Sequence, residues 1–153
     1  MNPLVGVLIG SENDREVIAP ALQVLDEYQV PHELAVMSAH RNAEKVRAYA
    51  LSAEQRGLQV LIAAAGFAAH LPGVLASWSM LPVIGIPVPA SDLKGVDSLL
   101  SIAQMPGGIP VTCVGIGKSG AKNAALAAVQ ILALHDDRLR ALYRAYRERL
   151  ASQ

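Results

Sequence analysis

The sequence predicts an α/β protein built on a doubly wound parallel sheet of about five strands, sandwiched in three αβα layers, with a further helix at the C-terminal end. Three observations carry this. Short apolar runs alternate with longer helix-period segments along the whole chain. The runs are apolar at nearly every position rather than at every second one, as strands covered on both faces are. The 153 residues, 52% of them hydrophobic and only 4% aromatic, suit one aliphatic-cored domain spanning residues 1–153.

Leu4–Ile9 reads as the first buried strand, ending at Gly10-Ser11. A helix follows with Ile18, Leu22 and Leu25 on one face and Asn13 or Asp14 as its N-cap. Pro20 is expected to kink that helix or delay its start. Glu33–Met37 is the second strand. Asn42 is expected to cap a helix that turns Ala43, Val46, Ala50 and Ala53 inward and closes at Gly57. Val60–Ala64 is the third strand, and Leu71–Met80 a helix with Pro72 in its first turn, where proline is tolerated.

Val83–Ile86 is the fourth strand. A proline-punctuated loop then leads to a helix near Asp97–Gln104. Val111–Ile116 is the fifth strand, and Ala121–Leu134 a helix apolar nearly all round, as a helix covered on every side would be. Arg138–Leu150 is the last helix, with Leu139, Leu142, Tyr143, Tyr146 and Leu150 on one stripe.

Charge excludes some function classes. Lys plus Arg and Asp plus Glu are 13 each, so no basic excess points to nucleic acid. The arginines at 138, 140, 144, 147 and 149 read as a solvated helix face rather than a nucleic-acid patch, since the chain as a whole carries no basic bias. Cys113 is the single cysteine and lies in an apolar run, so it reads as a small buried hydrophobe. No run of 18 apolar residues and no basic leader occurs, so a cytoplasmic protein with no membrane partner is expected. No histidine pair has zinc spacing, and no metal site is expected.

In doubly wound sheets ligands bind beyond the C-terminal ends of the strands. The segments there are Gly10–Asp14, Ser38-Ala39-His40-Arg41, Ala65–His70 and Pro87–Lys94. Two of the four histidines, His40 and His70, fall among them. The turn from Gly10 to Asp14 offers free N–H groups and the side chains of Ser11 and Asn13 to a phosphate, or is a plain N-cap. Arg41 favours an anion site, because a guanidinium forks onto phosphate oxygens. His40 sits on a loop, where an imidazole can move a proton near neutral pH. His70 either contacts ligand or orders the Gly66–Gly73 loop.

Gly115-Ile116-Gly117-Lys118-Ser119-Gly120 matches a dinucleotide-binding glycine pattern, but no later strand remains to offer an acidic residue to a ribose. It reads as a tight turn with close helix–sheet packing. Nor is it a P-loop, since Thr112 stands where the first glycine is needed.

Several motifs in order resemble the N5-carboxyaminoimidazole ribonucleotide (N5-CAIR) mutase family of purine biosynthesis. They are Ser38-Ala39-His40-Arg41, Ala68-Ala69-His70-Leu71-Pro72-Gly73, Gly95–Ile102 running into Gln104–Gly108, and Gly117–Ala124. The resemblance runs from about Val5 to His135. It implies a flavodoxin-like fold, a cytoplasmic homo-octamer with shared active sites, and an isomerase that uses no metal or organic cofactor. The reaction moves a carboxylate from the exocyclic nitrogen of the nucleotide to ring carbon 4, giving CAIR. By the resemblance His40 is the acid/base. Ser11, Asp14 and Arg41 hold the ribose phosphate, with Asp14 on ribose hydroxyls. Asn13, Ser38, Ala39 and Leu71 complete the substrate site, and Ala65, Gly66, Ala69 and His70 line the pocket for base and carboxylate.

The chain departs from the family pattern at several positions. Phe67 and Ala64 stand where glycine is usual, Asn42-Ala43 replaces Thr-Pro, Asn13 replaces serine, and Pro20 and Pro89 are atypical. Phe67 matters most, because it is expected either to narrow the carbon dioxide pocket or to cover it differently. A carboxylase taking carbon dioxide directly would have Lys after the loop histidine and no Ala-Ala-His-Leu-Pro-Gly segment. A third reading is a nucleotide-binding module without catalysis.

Overall fold

A computed structural model describes residues 2–153. Five parallel strands, β1 (Val5–Ile9), β2 (His32–Val36), β3 (Val60–Ala65), β4 (Val83–Pro87) and β5 (Thr112–Cys113), form one sheet in the order β2-β1-β3-β4-β5. Six helices connect and cover them: α1 (Arg15–Glu27), α2 (Ala43–Ala53), α3 (Leu71–Trp78), α4 (Val96–Ala103), α5 (Gly117–Leu132) and α6 (Asp137–Ala151).

The full burial of β1, β3 and β4 explains their uninterrupted apolar sequence. One sheet face, with Val7, Ile9, Ile62, Ala64 and Ile86, packs under Ile18 and Leu25 of α1, Ala124 and Val129 of α5, and Leu139 of α6. The other, with Leu8, Leu61, Ala63 and Ala65, packs under Val46 of α2, Leu75 of α3 and Ile102 of α4. Side chains on a strand alternate between faces, so the two cores share the same strands.

The register places the functional edge. Ile9 pairs with both Val36 and Ala64, Ala64 with Ile86, and Ala65 with Pro87. Four strands therefore end level, and their following loops gather at one edge. The chain leaves β1 for β2 on one side and returns to β3 on the other. That reversal opens the crevice in which such sheets bind ligands.

Several expectations are corrected. The fifth strand is two residues long rather than six, because β5 lies at the sheet edge and pairs only with Ile84 and Gly85. Pro20 does not delay α1, which starts five residues before it; the missing N–H removes a single helical bond. Helix α5 starts at Gly117, and it is not apolar all round: Lys118, Lys122, Asn123 and Gln130 are exposed. Its buried face is covered by this chain's own α1, sheet and α6. On α6, Leu142 and Leu150 stay exposed. Leu22 of α1 is only partly buried.

The glycine pattern after β5 is a packing device. A Cβ on Gly120 would overlap the Gly115 carbonyl, and Gly117 has φ +78°, a backbone conformation suited to glycine. The arginines of α6 do more than face solvent. Arg140 donates to the carbonyls of Ala133 (3.1 Å) and Leu134 (3.0 Å), and Arg138 to that of Tyr28 (2.9 Å), satisfying carbonyls just beyond α5 and α1.

Candidate active site

The level strand ends enclose a cavity of about 540 Å³. The loop after β1 supplies Gly10, Ser11, Asn13 and Asp14. The loop after β2 supplies Ser38, Ala39, His40 and Arg41. The loop after β3 and the start of α3 supply Ala65, Gly66, Phe67, Ala68, His70 and Leu71, and the loop after β4 supplies Ala90. Segments 30 residues apart in sequence thus meet at one opening. Of the residues singled out from sequence, only Ala69 is absent from the lining; its side chain is 1% exposed and packs in the core beside α3.

The turn after β1 is closed by reciprocal hydrogen bonds. Ser11 Oγ accepts from the Asn13 N–H, and Asp14 Oδ2 accepts from the Ser11 N–H, both at 3.2 Å. A short 3-10 turn, Glu12–Asp14, precedes α1; Asp14 holds the N-cap position of α1, one of the two expected residues, but makes no capping bond to that helix, while Ser11 caps the 3-10 turn. Asp14 is 7% exposed. Burial pushes its carboxyl above the ordinary range, and the Ser11 N–H opposes that in part.

The loop after β2 is held in the same way. Ser38 Oγ accepts from the Arg41 N–H, and the Ser38 N–H donates to Asn42 Oδ1, each at 3.2 Å. Asn42 occupies the N-cap position of α2 but makes no capping bond to that helix. Its side chain instead turns back onto the loop that carries His40. Arg41 is exposed and makes no ion pair among the described residues, which leaves its guanidinium free for an anion.

His40 Nε2 and His70 Nδ1 lie 2.6 Å apart, with the rings edge to face at 82°. Two nitrogens at this distance share one proton, so one donates and the other accepts. With His40 as donor, its Nδ1 is the ring nitrogen left for a second partner. The sequence offered His70 as either a ligand contact or a loop-ordering residue. The structure sets it against His40, a coupling that no spacing in the sequence revealed.

Phe67 has φ 56°. A bulky residue in the left-handed region carries strain of about 1–2 kcal/mol. The ring is 59% exposed and belongs to neither core. The loop around it is fixed: the His70 N–H donates to the Ala68 carbonyl at 2.9 Å. A Cβ on Gly66 would come within 2.9 Å of Ala90 Cβ and 3.4 Å of the Val88 carbonyl, so the loops after β3 and β4 touch there. Ser98 was missed in the sequence. It is fully buried and donates towards the carbonyls of Val88 (2.9 Å) and Gly95 (3.0 Å), tying the β4–α4 loop down.

Cys113 lies on β5, outside the cavity lining, and burial raises its thiol pKa, so it is a packing residue. Among the described residues, no group of three or more His, Cys, Asp or Glu could hold a metal ion. No described helix is long and apolar enough to cross a membrane.

Comparison with known proteins decides the family. The AIR carboxylase family model matches residues 4–153. The chain belongs to the AIR carboxylase family. Within that family it is 54% identical over 149 residues to the N5-carboxyaminoimidazole ribonucleotide mutase of Synechocystis, covering 97% of this chain and 84% of the relative. It is 53% identical over 139 residues to the mutase of Bacillus subtilis, covering 91% and 86%. The crystal structure of Treponema denticola PurE superposes with a TM-score of 0.85 at 29% identity, covering 98% of this chain and 92% of that one. The flavodoxin-like arrangement expected from the sequence is the fold of this family member too.

Proposed function

We propose that this chain is an N5-CAIR mutase, an isomerase of purine biosynthesis that converts N5-CAIR to CAIR. The observation that carries the reading is the His40–His70 pair, 2.6 Å apart, in a cavity that also holds the Ser11–Asp14 turn and an unpaired Arg41. The mutase names of the relatives at 50–55% identity support the same reading.

The nucleotide phosphate binds at the turn after β1, where Ser11 and Asn13 present polar groups, and Arg41 forks onto its oxygens. Asp14 accepts from ribose hydroxyls. Ser38 fixes the loop of His40 and Arg41, Ala39 and Leu71 shape the walls, and Ala65 and Gly66 leave room for the base. His40 gives its Nδ1 proton to the carbamate nitrogen. The N–C bond breaks, releasing carbon dioxide and leaving the exocyclic amine. Ring carbon 4, the nucleophilic end of an enamine, attacks the retained carbon dioxide and forms the new C–C bond. His40 Nδ1 then takes the carbon 4 proton, which restores both the aromatic ring and the imidazolium. Throughout, His70 holds the other side of the His40 ring. A positioned acid/base of this kind supplies about 10²–10⁴-fold in rate, and small wall residues help to keep water from the released carbon dioxide.

Residues 1–153 act as one catalytic domain, with no metal or organic cofactor, in the cytoplasm. The protein assembles as a homo-octamer. Large exposed side chains support subunit contacts: Met80 is 90%, Leu93 63% and Leu100 54% exposed. A second cavity of about 410 Å³, at Met80–Val83 and Gly108–Thr112, is lined by no ionisable side chain.

Turnover of purified protein tests the reading. Fast conversion of N5-CAIR, with only slow carboxylation of aminoimidazole ribonucleotide plus bicarbonate, is expected. The reverse preference would make the protein a carboxylase, and Arg41 together with the Ala68–Gly73 segment argues against that.

A further inference from the structure

Among the described residues that line the cavity, Phe67 is the one large apolar side chain left exposed. Its ring is 59% exposed and joins neither core. Among the described residues, the aromatic pairs are His40 with His70 and Tyr143 with Tyr146, so Phe67 stacks on no ring of its own chain. Its backbone is held at φ 56°, a conformation that a bulky residue adopts only under constraint. Among the described residues the ring gains no core packing that would offset that strain. It does line the same cavity as His40 and His70, on a loop pinned by the His70-to-Ala68 bond at 2.9 Å and the close approach of Gly66 to Ala90.

We propose that Phe67 is a stacking platform for the five-membered ring of the bound nucleotide, so that the strain of its backbone holds an aromatic face towards the substrate. This rests on the mutase reading and adds a binding residue to it. A planar heteroaromatic ring stacks on an aromatic face in water, whereas the ribose phosphate gains nothing from it. Phe67 therefore sets affinity for the base and the position of carbon 4 against His40, and leaves the phosphate contacts alone.

The experiment uses full-length protein, with wild-type turnover of N5-CAIR measured first so that failure of the mutase reading shows separately. CAIR and ribose 5-phosphate are then titrated into wild type, Phe67→Ala, Phe67→Gly and Phe67→Tyr. Alanine removes the ring and keeps a side chain in the left-handed region, while glycine removes both ring and strain. Both are expected to weaken CAIR binding about tenfold, to leave ribose 5-phosphate within twofold, and to raise KM more than they lower kcat. Phe67→Tyr is expected to keep CAIR affinity. Unchanged CAIR affinity in the alanine and glycine variants would overturn the proposal. So would equal losses for both ligands, or a loss in only one of the two variants, since each traces the effect to the loop. A lower sedimenting mass in the variants would reassign the ring to a contact between copies.

Discussion

Asp14 pits stability against binding, and Asp14→Asn separates the two. The carboxylate is nearly buried and accepts a single protein hydrogen bond, from the Ser11 N–H at 3.2 Å. Burial raises its pKa above the ordinary 3.8, so the folded chain holds the proton to higher pH than the unfolded chain does. Below pH 3.8 the group is neutral in both states and costs nothing. As pH rises from there through the raised folded value, the unfolded state releases its proton first and stability falls. Asparagine keeps an acceptor oxygen for the Ser11 N–H and carries no charge. Asp14→Asn is therefore expected to stabilise the protein at pH 7 by about 1 kcal/mol, or roughly 2–4 °C in Tm for a chain of this size. Its stability should no longer fall through that acidic window. The same change trades a charge-assisted bond to the ribose for a neutral one. That loses about 1.5 kcal/mol, close to tenfold in Kd for CAIR. Thermal melts from pH 4 to 8, beside calorimetric titration of CAIR, test both halves. A variant less stable than wild type at pH 7, or one with the wild-type slope through the acidic window, would refute the buried-charge argument. Unchanged CAIR affinity would remove Asp14 from the ribose site.

Other expectations follow from single contacts. Arg41→Ala should weaken CAIR binding by about tenfold or more with little change in melting temperature, because its guanidinium makes no ion pair among the described residues; calorimetry checks this, and unchanged affinity removes Arg41 from the phosphate site. His70→Ala should lower kcat by about 10–100-fold and leave CAIR affinity within a few-fold of wild type, because it deletes the contact that orients the His40 ring; unchanged kcat would make His70 a mere packing residue. Gly120→Ala should destabilise by about 1–3 kcal/mol or prevent folding, since its Cβ would overlap the Gly115 carbonyl; denaturant unfolding that matches wild type would contradict the close approach.

The order and type of every strand and α-helix were legible in the sequence, because uninterrupted apolar runs and helix-period segments report burial directly, whereas the 3-10 turn at Glu12–Asp14 was not. Boundaries were less so. The six-residue apolar run after Pro110 became a two-residue strand, since pairing at a sheet edge depends on a neighbour and not on hydropathy. Helix α5 read as covered on every side, yet its polar face is exposed and its apolar face is used by α1, the sheet and α6. At the cavity, the strand-end rule brought out His40, Arg41, Ser11 and Asp14. Three features depend on three-dimensional contact and were hidden: the His40–His70 bond, the turn of Asn42 back onto Ser38, and the buried Ser98 tether. Phe67 was read as a departure from a usual glycine, and its φ of 56° gives that glycine a physical reason.

Acid/base chemistry by His40 is tested most directly by turnover of N5-CAIR by His40→Asn, with CAIR titrated into the same preparation. Asparagine fills much of the same space and moves no proton near neutral pH. Turnover is expected to fall by at least about 10²-fold while CAIR affinity stays within a few-fold of wild type. Substantial turnover with intact binding would contradict the assignment of His40 as the group that moves the proton.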